Sequence, residues 1–256
     1  EPAGKLEYLR NDAAQTRVHD VTTAEASLTL RYAPGESFVN SKQRRIPVSL
    51  DAPIFTLTHA MGFKGVLGGE YSFNRTEASV WKRFWLPSSW GKIDCSIKAG
   101  AEWNTVPFPL LILPEANLSY ITQRETFNLI NNMEFLNDRF ASVSLSYDMN
   151  GKLFNRIPLI KNLKWREMFR VRALWGTLTD KNNPFKSSNP DLFRFPMRDG
   201  KFTSFVMDPK IPYVEASVGI YNIFKLLHIE YVHRFTYRDN PGINKNGVRF
   251  MVLMAF

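Results

Sequence analysis

The residues best suited to chemistry lie close together near the C-terminus: His228, Glu230 and His233. On an extended strand His228 and Glu230 share a face while His233 points the other way, because successive side chains alternate. A zinc-protease site needs two histidines at i and i+4 on a helix, with a glutamate as base. This spacing meets neither condition, and a polar strand face accounts for the trio. His19 and His59 are isolated. Cys95, in the apparent strand Ile93–Ile97, has no histidine close in sequence and reads as a small buried or lipid-facing residue. A lone cysteine excludes an internal disulfide and a Cys-rich zinc site. No serine has the context of an activated nucleophile, and no glycine-rich phosphate loop is present. Gly68-Gly69, inside an apparent strand, marks a bend or a close backbone approach. The expectation is a protein without catalytic, metal or cofactor sites, and not an enzyme.

The elements that would carry these residues follow a period of two. In Ala24–Tyr32, Ala24, Ala26, Leu28, Leu30 and Tyr32 fall on one face, and Glu25, Ser27, Thr29 and Arg31 on the other. Val66–Asn74 sets Leu67, Tyr71 and Phe73 against Glu70, Ser72 and Asn74, and Phe140–Asp148 sets Val143, Leu145 and Tyr147 against serines and Asp148. About eleven such segments are predicted, most of the length that a tilted strand needs to cross a bilayer: 24–33, 53–62, 66–74, 77–86, 91–103, 125–136, 139–149, 164–178, 212–221, 225–237 and 246–256. A weaker one lies in 8–20. Capped helices with an apolar stripe are not evident. Tight turns are expected at Asn74-Arg75, Pro87–Gly91, Asn137-Asp138 and Tyr221-Asn222, and long loops at 34–52, 104–124, 150–163 and 179–211. Turns on one rim and long loops on the other are usual in membrane barrels.

Composition agrees with this pattern. Hydrophobic residues make up 44% and charged residues 22%, which argues against disorder. The mean hydropathy of −0.25 looks soluble, but an alternating barrel strand averages out to a mild value. No run approaches the roughly 18 apolar residues of a membrane helix; the longest candidate, Val106–Leu113, is broken by Pro107 and Pro109. Phe84, Trp85, Trp90, Trp103, Phe108, Phe224, Phe235 and Tyr237 gather near strand ends, as interfacial girdles do; filling a sandwich core is the alternative. The net charge of +9 is scattered and not concentrated in a stripe, so no nucleic acid is expected as partner. Anionic outer-membrane lipids and lipopolysaccharide phosphates fit it, as does solvation of loops and lumen.

The last strand, Gly247–Phe256, is the most specific feature. Val248, Phe250, Val252, Met254 and the terminal Phe256 share one face. A closing barrel strand removes a sheet edge, and this one resembles the C-terminal signal that outer-membrane barrels end on. With the preceding hairpin, Tyr213–Ile220 and Leu226–Arg234, it resembles the closing strands of the barrel-assembly insertase and two-partner translocase superfamily. Four stretches, Asn104–Pro109, Ala116–Ile121, Asn131–Arg139 and Asp239–Ile243, resemble a narrower family. Its members are large Bacteroidota outer-membrane proteins that join an N-terminal carboxypeptidase-regulatory-like domain to a barrel domain of unknown function.

That resemblance spans most of the chain from about Arg31. The likeness to the insertase and translocase superfamily implies a barrel of about sixteen strands, of which only part is visible in this sequence. It also implies a lumenal loop pinned by an arginine. Arg124, after the proline-bracketed segment 104–124, is the candidate latch through a charge-assisted contact to a wall carboxylate. The sequence begins at Glu1 without Met or a signal peptide, and reads as a processed or truncated product that lacks the N-terminal periplasmic domain. Residues 1–256 are thus expected to form one antiparallel transmembrane β-barrel segment of the bacterial outer membrane. Leu28, Leu30, Tyr71 and Phe250 would meet lipid, and Glu25, Arg31, Glu70 and Arg249 the lumen. The expected function is non-enzymatic, in outer-membrane biogenesis, protein export or a larger envelope complex, with other outer-membrane or periplasmic proteins as partners. The alternatives are a passive or gated transporter and a soluble all-β binding protein.

Overall fold

The computed structural model describes residues 7–40, 45–49, 51–123, 125–198 and 200–252. The protein is all-β and antiparallel, with a single short α-helix, Pro158–Leu163, and three single turns of 3-10 helix among the described residues. Its main sheet has nine strands in chain order. These are β1 (Glu25–Tyr32), β2 (Ile54–Gly62), β3 (Phe73–Trp85), β4 (Lys92–Glu102), β5 (Arg139–Asp148), β6 (Arg166–Thr177), β7 (Tyr213–Ile223), β8 (Leu227–Arg234) and β9 (Asn246–Val252). Each pairs only with its neighbours in sequence, an up-and-down meander that needs no crossover. The sheet curls, since Ile54 and Thr56 on β2 and Met251 on β9 line the same cavity. It is open: among the described residues β1 and β9 do not pair with each other. Small two-stranded hairpins, such as Tyr8–Leu9 with Arg17–Val18 and Phe38–Asn40 with Arg45–Pro47, decorate the loops.

Strand boundaries follow the period-two segments with specific departures. The segments 66–74 and 77–86 are not two strands: β3 is continuous from Phe73 to Trp85. Asn74 and Arg75 pair with Met61 and Ala60 and form no turn. The chain reverses instead through 63–72, where Gly65 and Gly68 adopt positive φ and the N–H of Gly69 bonds to Val66 O at 2.8 Å. Tyr221 and Asn222 also lie in a strand, and the turn follows at Phe224–Leu226. Segment 125–136 is not a strand either; it is irregular and buried. Asn137-Asp138 is a buried entry into β5, with the Asp138 carboxylate accepting from Asn182 Nδ2 at 2.9 Å and from Thr179 N at 3.1 Å. The main sheet therefore has fewer strands than the alternation suggested.

Long connections occur at both rims. The segments 63–72, 103–138, 178–212 and 235–245 lie at one end of the meander; the other end has the turns 86–91 and 224–226 but also the long connections 33–53 and 149–165, so the expected division into a turn rim and a loop rim is not found. At the first of these ends an apolar cap packs Phe73, Val106, Phe108, Leu136 and Phe193 together, with Tyr8 stacked on Phe193 at 5.2 Å. Tyr71 belongs to this cap, edge-on to Phe193 at 6.5 Å, so it does not face outward as the alternation placed it. Burial there raises its hydroxyl pKa. Phe108 is likewise buried in the cap and is no rim aromatic.

Candidate functional site

Burial along the central strands is inverted relative to a water-soluble sheet. On β6, Arg170 and Arg172 are buried while Phe169, Val171 and Trp175 are exposed. On β7, Glu215 and Ser217 are buried and Val218 is exposed; on β8, His228, Glu230 and Arg234 are buried while Ile229 and Tyr231 are exposed. The register assembles these positions into rows. Phe84, Ile93, Tyr147, Phe169, Val218, Tyr231 and Val248 form one continuous outer row across β3 to β9. On the concave side Arg83, Asp94, Ser146, Arg170 and Ser217 form the matching inner row. Lys, Glu, Arg and Asp are almost never fully buried unless paired. Here they are: Arg170 lies 2.8 Å from Glu230, Arg172 3.1 Å from Glu215, and Arg234 2.6 Å from Glu134.

These pairs hold the segment 104–138 against the inner face. Glu215 accepts the backbone N–H groups of Asn128 at 2.8 Å and Leu129 at 3.1 Å, and the Tyr213 hydroxyl at 2.9 Å. Arg234 donates to Leu129 O at 3.1 Å and to both oxygens of Glu134. Arg172 donates to Gln123 O at 3.1 Å, Arg249 donates to Asn128 O, and Arg75 to Leu110 O. Phe127, Ile130 and Phe135 pack with Leu174, Met207 and Tyr213 in a second apolar cluster. The segment is thus an internal plug whose irregular backbone pairs with itself at isolated bridges, Ala116 with Phe127 and Ile112 with Asn137, and is satisfied elsewhere by charged side chains of the sheet. It also reaches the sheet edge, where Thr122 N donates to Phe250 O at 2.8 Å and Phe250 N to Tyr120 O at 2.9 Å.

The residues singled out in sequence fall as follows. His228 and Glu230 share the inner face, 3.4 Å apart, and His233 lies on the other face beside Asn246. No group of residues that could hold a metal ion is found among the described residues. Cys95 is half-buried between Lys82 and Leu145 of the neighbouring strands, on the same side as exposed Ile97. Val248, Phe250 and Val252 are exposed on one face of β9; Met254 and Phe256 lie outside the described residues, as does Arg124. Leu28 and Leu30 are exposed, but so are Glu25 and Arg31, because β1 is an edge strand exposed on both sides. Glu70 is exposed in a loop, and Arg249 is half-buried on the inner face. Sequence reasoning missed the plug anchors Glu134, Arg172, Glu215 and Arg234. Their signal was present, since each sits at a polar beat of an apolar alternation or beside one, but nothing local identifies its partner.

Between plug and sheet lies a cavity of about 740 Å³, walled by Arg83, Asp94, Lys98, Ser144, Asp148 and Arg170 among others. Arg83 meets Asp94 through paired contacts at 2.6 and 2.9 Å, and Lys98 bridges Glu115 and Glu125 at 3.1 and 3.0 Å. Such an arrangement can seal, bind or pass a polar solute.

Fold and site together define an antiparallel all-β protein with an apolar outer face, a charged inner face and a self-derived plug. The C-terminal domain of a family of unknown function (DUF5686) matches residues 7–185, well over half of the chain. The protein belongs to that family. No curated protein matches it.

Proposed function

We propose that the protein is the wall and plug of an outer-membrane β-barrel, acting without catalysis in outer-membrane biogenesis, protein export or a larger envelope complex. The observation that carries this reading is the inverted burial: a continuous row of aromatic and aliphatic side chains turned outward, with paired charges turned inward. A bilayer is the surrounding that makes this arrangement favourable, because lipid solvates the outer row and a barrel satisfies its backbone within the sheet. Strand lengths support it, since β2 to β7 run from 9 to 13 residues, close to what a tilted membrane strand requires. So do the aromatic residues at the end that carries the turns 86–91 and 224–226. Phe84, Trp85, Trp90 and Phe224 are exposed there, and Lys152 lies 5.1 Å over the Trp90 ring and Lys92 5.7 Å over that of Trp85. Aromatic and basic side chains together suit the head-group level. The edge of β1, unpaired among the described residues, fits a sheet completed by further strands, as the resemblance to larger Bacteroidota barrels implies, whereas the edge of β9 is met by the plug at Tyr120–Thr122.

A plug anchored by wall charges favours a gated or scaffold role over free diffusion. The cavity beside it keeps a second reading, a conduit for small solutes, in view. The test is fractionation of the native protein, followed by pull-down from detergent-solubilised membranes and planar-bilayer recording. Recovery in the outer membrane with envelope proteins bound supports the assembly role. A steady conductance without partners supports the conduit. Recovery from the aqueous fraction without detergent overturns both.

A further inference from the structure

Charge that is scattered along the sequence is gathered by the fold. Inside the curl it is matched: Arg83 by Asp94, Arg170 by Glu230 and Arg172 by Glu215. At the end that carries the apolar cap, the connections 63–72, 103–138, 178–212 and 235–245 hold ten basic and ten acidic residues. At the other end the turns 86–91 and 224–226 and the connection 149–165 hold five basic residues and no acidic one. The connection 33–53, at the same end, is mixed, with three basic and two acidic residues. Of the five, Lys152 is engaged, donating to Ser88 O at 2.8 Å with its ammonium over the Trp90 ring. The other four, Arg156, Lys161, Lys164 and Lys225, are exposed and form no ion pair among the described residues.

The same stretches turn apolar side chains outward. Leu159 is 82% exposed and Phe224 80%, and Leu153, Ile157 and Leu163 are each close to half exposed. Leu159 and Leu163 stand one turn apart on the helix Pro158–Leu163 and so share a side. The backbone that presents them is tied to the sheet: Leu153 N donates to Glu167 at 2.6 Å, and Asn222 Nδ2 donates to Lys164 O at 2.7 Å. In water this arrangement is unfavourable, because leucines stay hydrated and neighbouring cations repel. Against an anionic lipid surface both terms change sign: the leucines leave water, and phosphate oxygens pair the cations. Continuity selects a lipid surface over an acidic protein. The Tyr147 hydroxyl, on the outer apolar row, donates to Trp90 O at 3.1 Å, so the patch adjoins that row.

We propose that the connection 149–165, with Phe224 and Lys225, is a docking element for anionic phospholipid. Arg156, Lys161, Lys164 and Lys225 meet the phosphates, and Leu159, Leu163 and Phe224 enter the layer beneath them. This rests on the reading that the outer row faces lipid, and it adds which lipid is held and by what.

The experiment uses the full chain reconstituted in phosphatidylcholine vesicles, with a trace of spin-labelled phosphatidylglycerol or spin-labelled phosphatidylcholine read by electron spin resonance. Phosphatidylglycerol should be favoured at the protein surface by about fivefold or more, the worth of at least one basic side chain near an anionic surface. The preference should shrink in about 0.5 M sodium chloride, where screening is short-ranged, a readout that needs no substitution. It should fall close to parity in Arg156→Gln/Lys161→Gln/Lys164→Gln. It should persist in Lys201→Gln/Lys210→Gln/Lys245→Gln, which removes as much charge from exposed positions at the opposite end. Equal immobilisation of the two lipids, a preference that survives the first variant, or one lost equally in the second overturns the proposal and leaves the membrane reading standing. No immobilised lipid of either kind overturns both.

Discussion

Replacing Glu134 by leucine should release the plug. Glu134 is 1% exposed and faces Arg234, itself fully buried, through contacts of 2.6 and 3.0 Å. It also accepts from Asn131 N at 3.0 Å and Asn240 Nδ2 at 2.9 Å, so one carboxylate joins the plug, β8 and the loop after it. Leucine would leave the guanidinium with only carbonyl partners, Leu129 O, Thr236 O and Tyr237 O, and the faces of Tyr213 and Phe135. Breaking a buried pair from one side costs about 3–5 kcal/mol, whereas replacing both partners by apolar groups is often close to neutral. The double variant Glu134→Leu/Arg234→Met should therefore recover much of the loss, giving a coupling of about 2 kcal/mol or more. Amide exchange of the purified protein reads this directly. In Glu134→Leu, protection across 127–137 should fall by roughly two to three orders of magnitude, while β3 to β5 stay protected. Unchanged protection in that variant, or strictly additive losses in the double variant, would show that the clamp does not hold the plug.

Other consequences are as direct. Gly176→Ala should destabilise by about 1–3 kcal/mol through overpacking, because a Cβ there meets the buried Asn137 side chain; thermal unfolding reads it, and Gly176→Ala with Asn137→Gly should restore part of the loss. Gly91→Ala should impair folding through the 86–91 turn, since Gly91 has φ +90° and a Cβ would run into Asp148 O; refolding yield into detergent is the readout. Val171→Lys, on the outer face, should oppose folding into liposomes by about 2–4 kcal/mol if it lies near the midplane, whereas a water-facing position would change stability by no more than about 0.5 kcal/mol.

Legibility in the sequence tracked what alternation encodes. Strands β2, β4, β5 and β6 were found within a residue or two because period-two patterning is local, and their faces followed from it. The pattern cannot say what an apolar face meets. Phe127 and Leu129, flanking polar Asn128, alternate like a strand, yet these side chains pack inside the plug and the Asn128 backbone bonds to a carboxylate. Tyr71 alternates with Glu70 and Ser72, yet its ring goes into a loop-built cap. Turn chemistry misled at Asn74-Arg75, where two polar residues lie within a long strand while the true reversal uses Gly65 and Gly68. The clamp residues Glu134 and Arg234 are 100 positions apart, a pairing that only the fold can make. Arg124, the expected latch, lies outside the described residues; the anchors seen are wall arginines on plug carbonyls and on a plug carboxylate, and the wall carboxylate Glu215 on plug N–H groups.

The most direct test of the central claim is a spin-label accessibility scan of the protein in lipid vesicles, with Cys95 changed to serine. Labels at Val171, Val218, Tyr231 and Phe250 should collide readily with oxygen and hardly with a water-soluble nickel chelate, and labels at Ser96 and Ser144 should not share that preference. Equal access of the chelate to both sets would place the aromatic and aliphatic row in water and contradict the account.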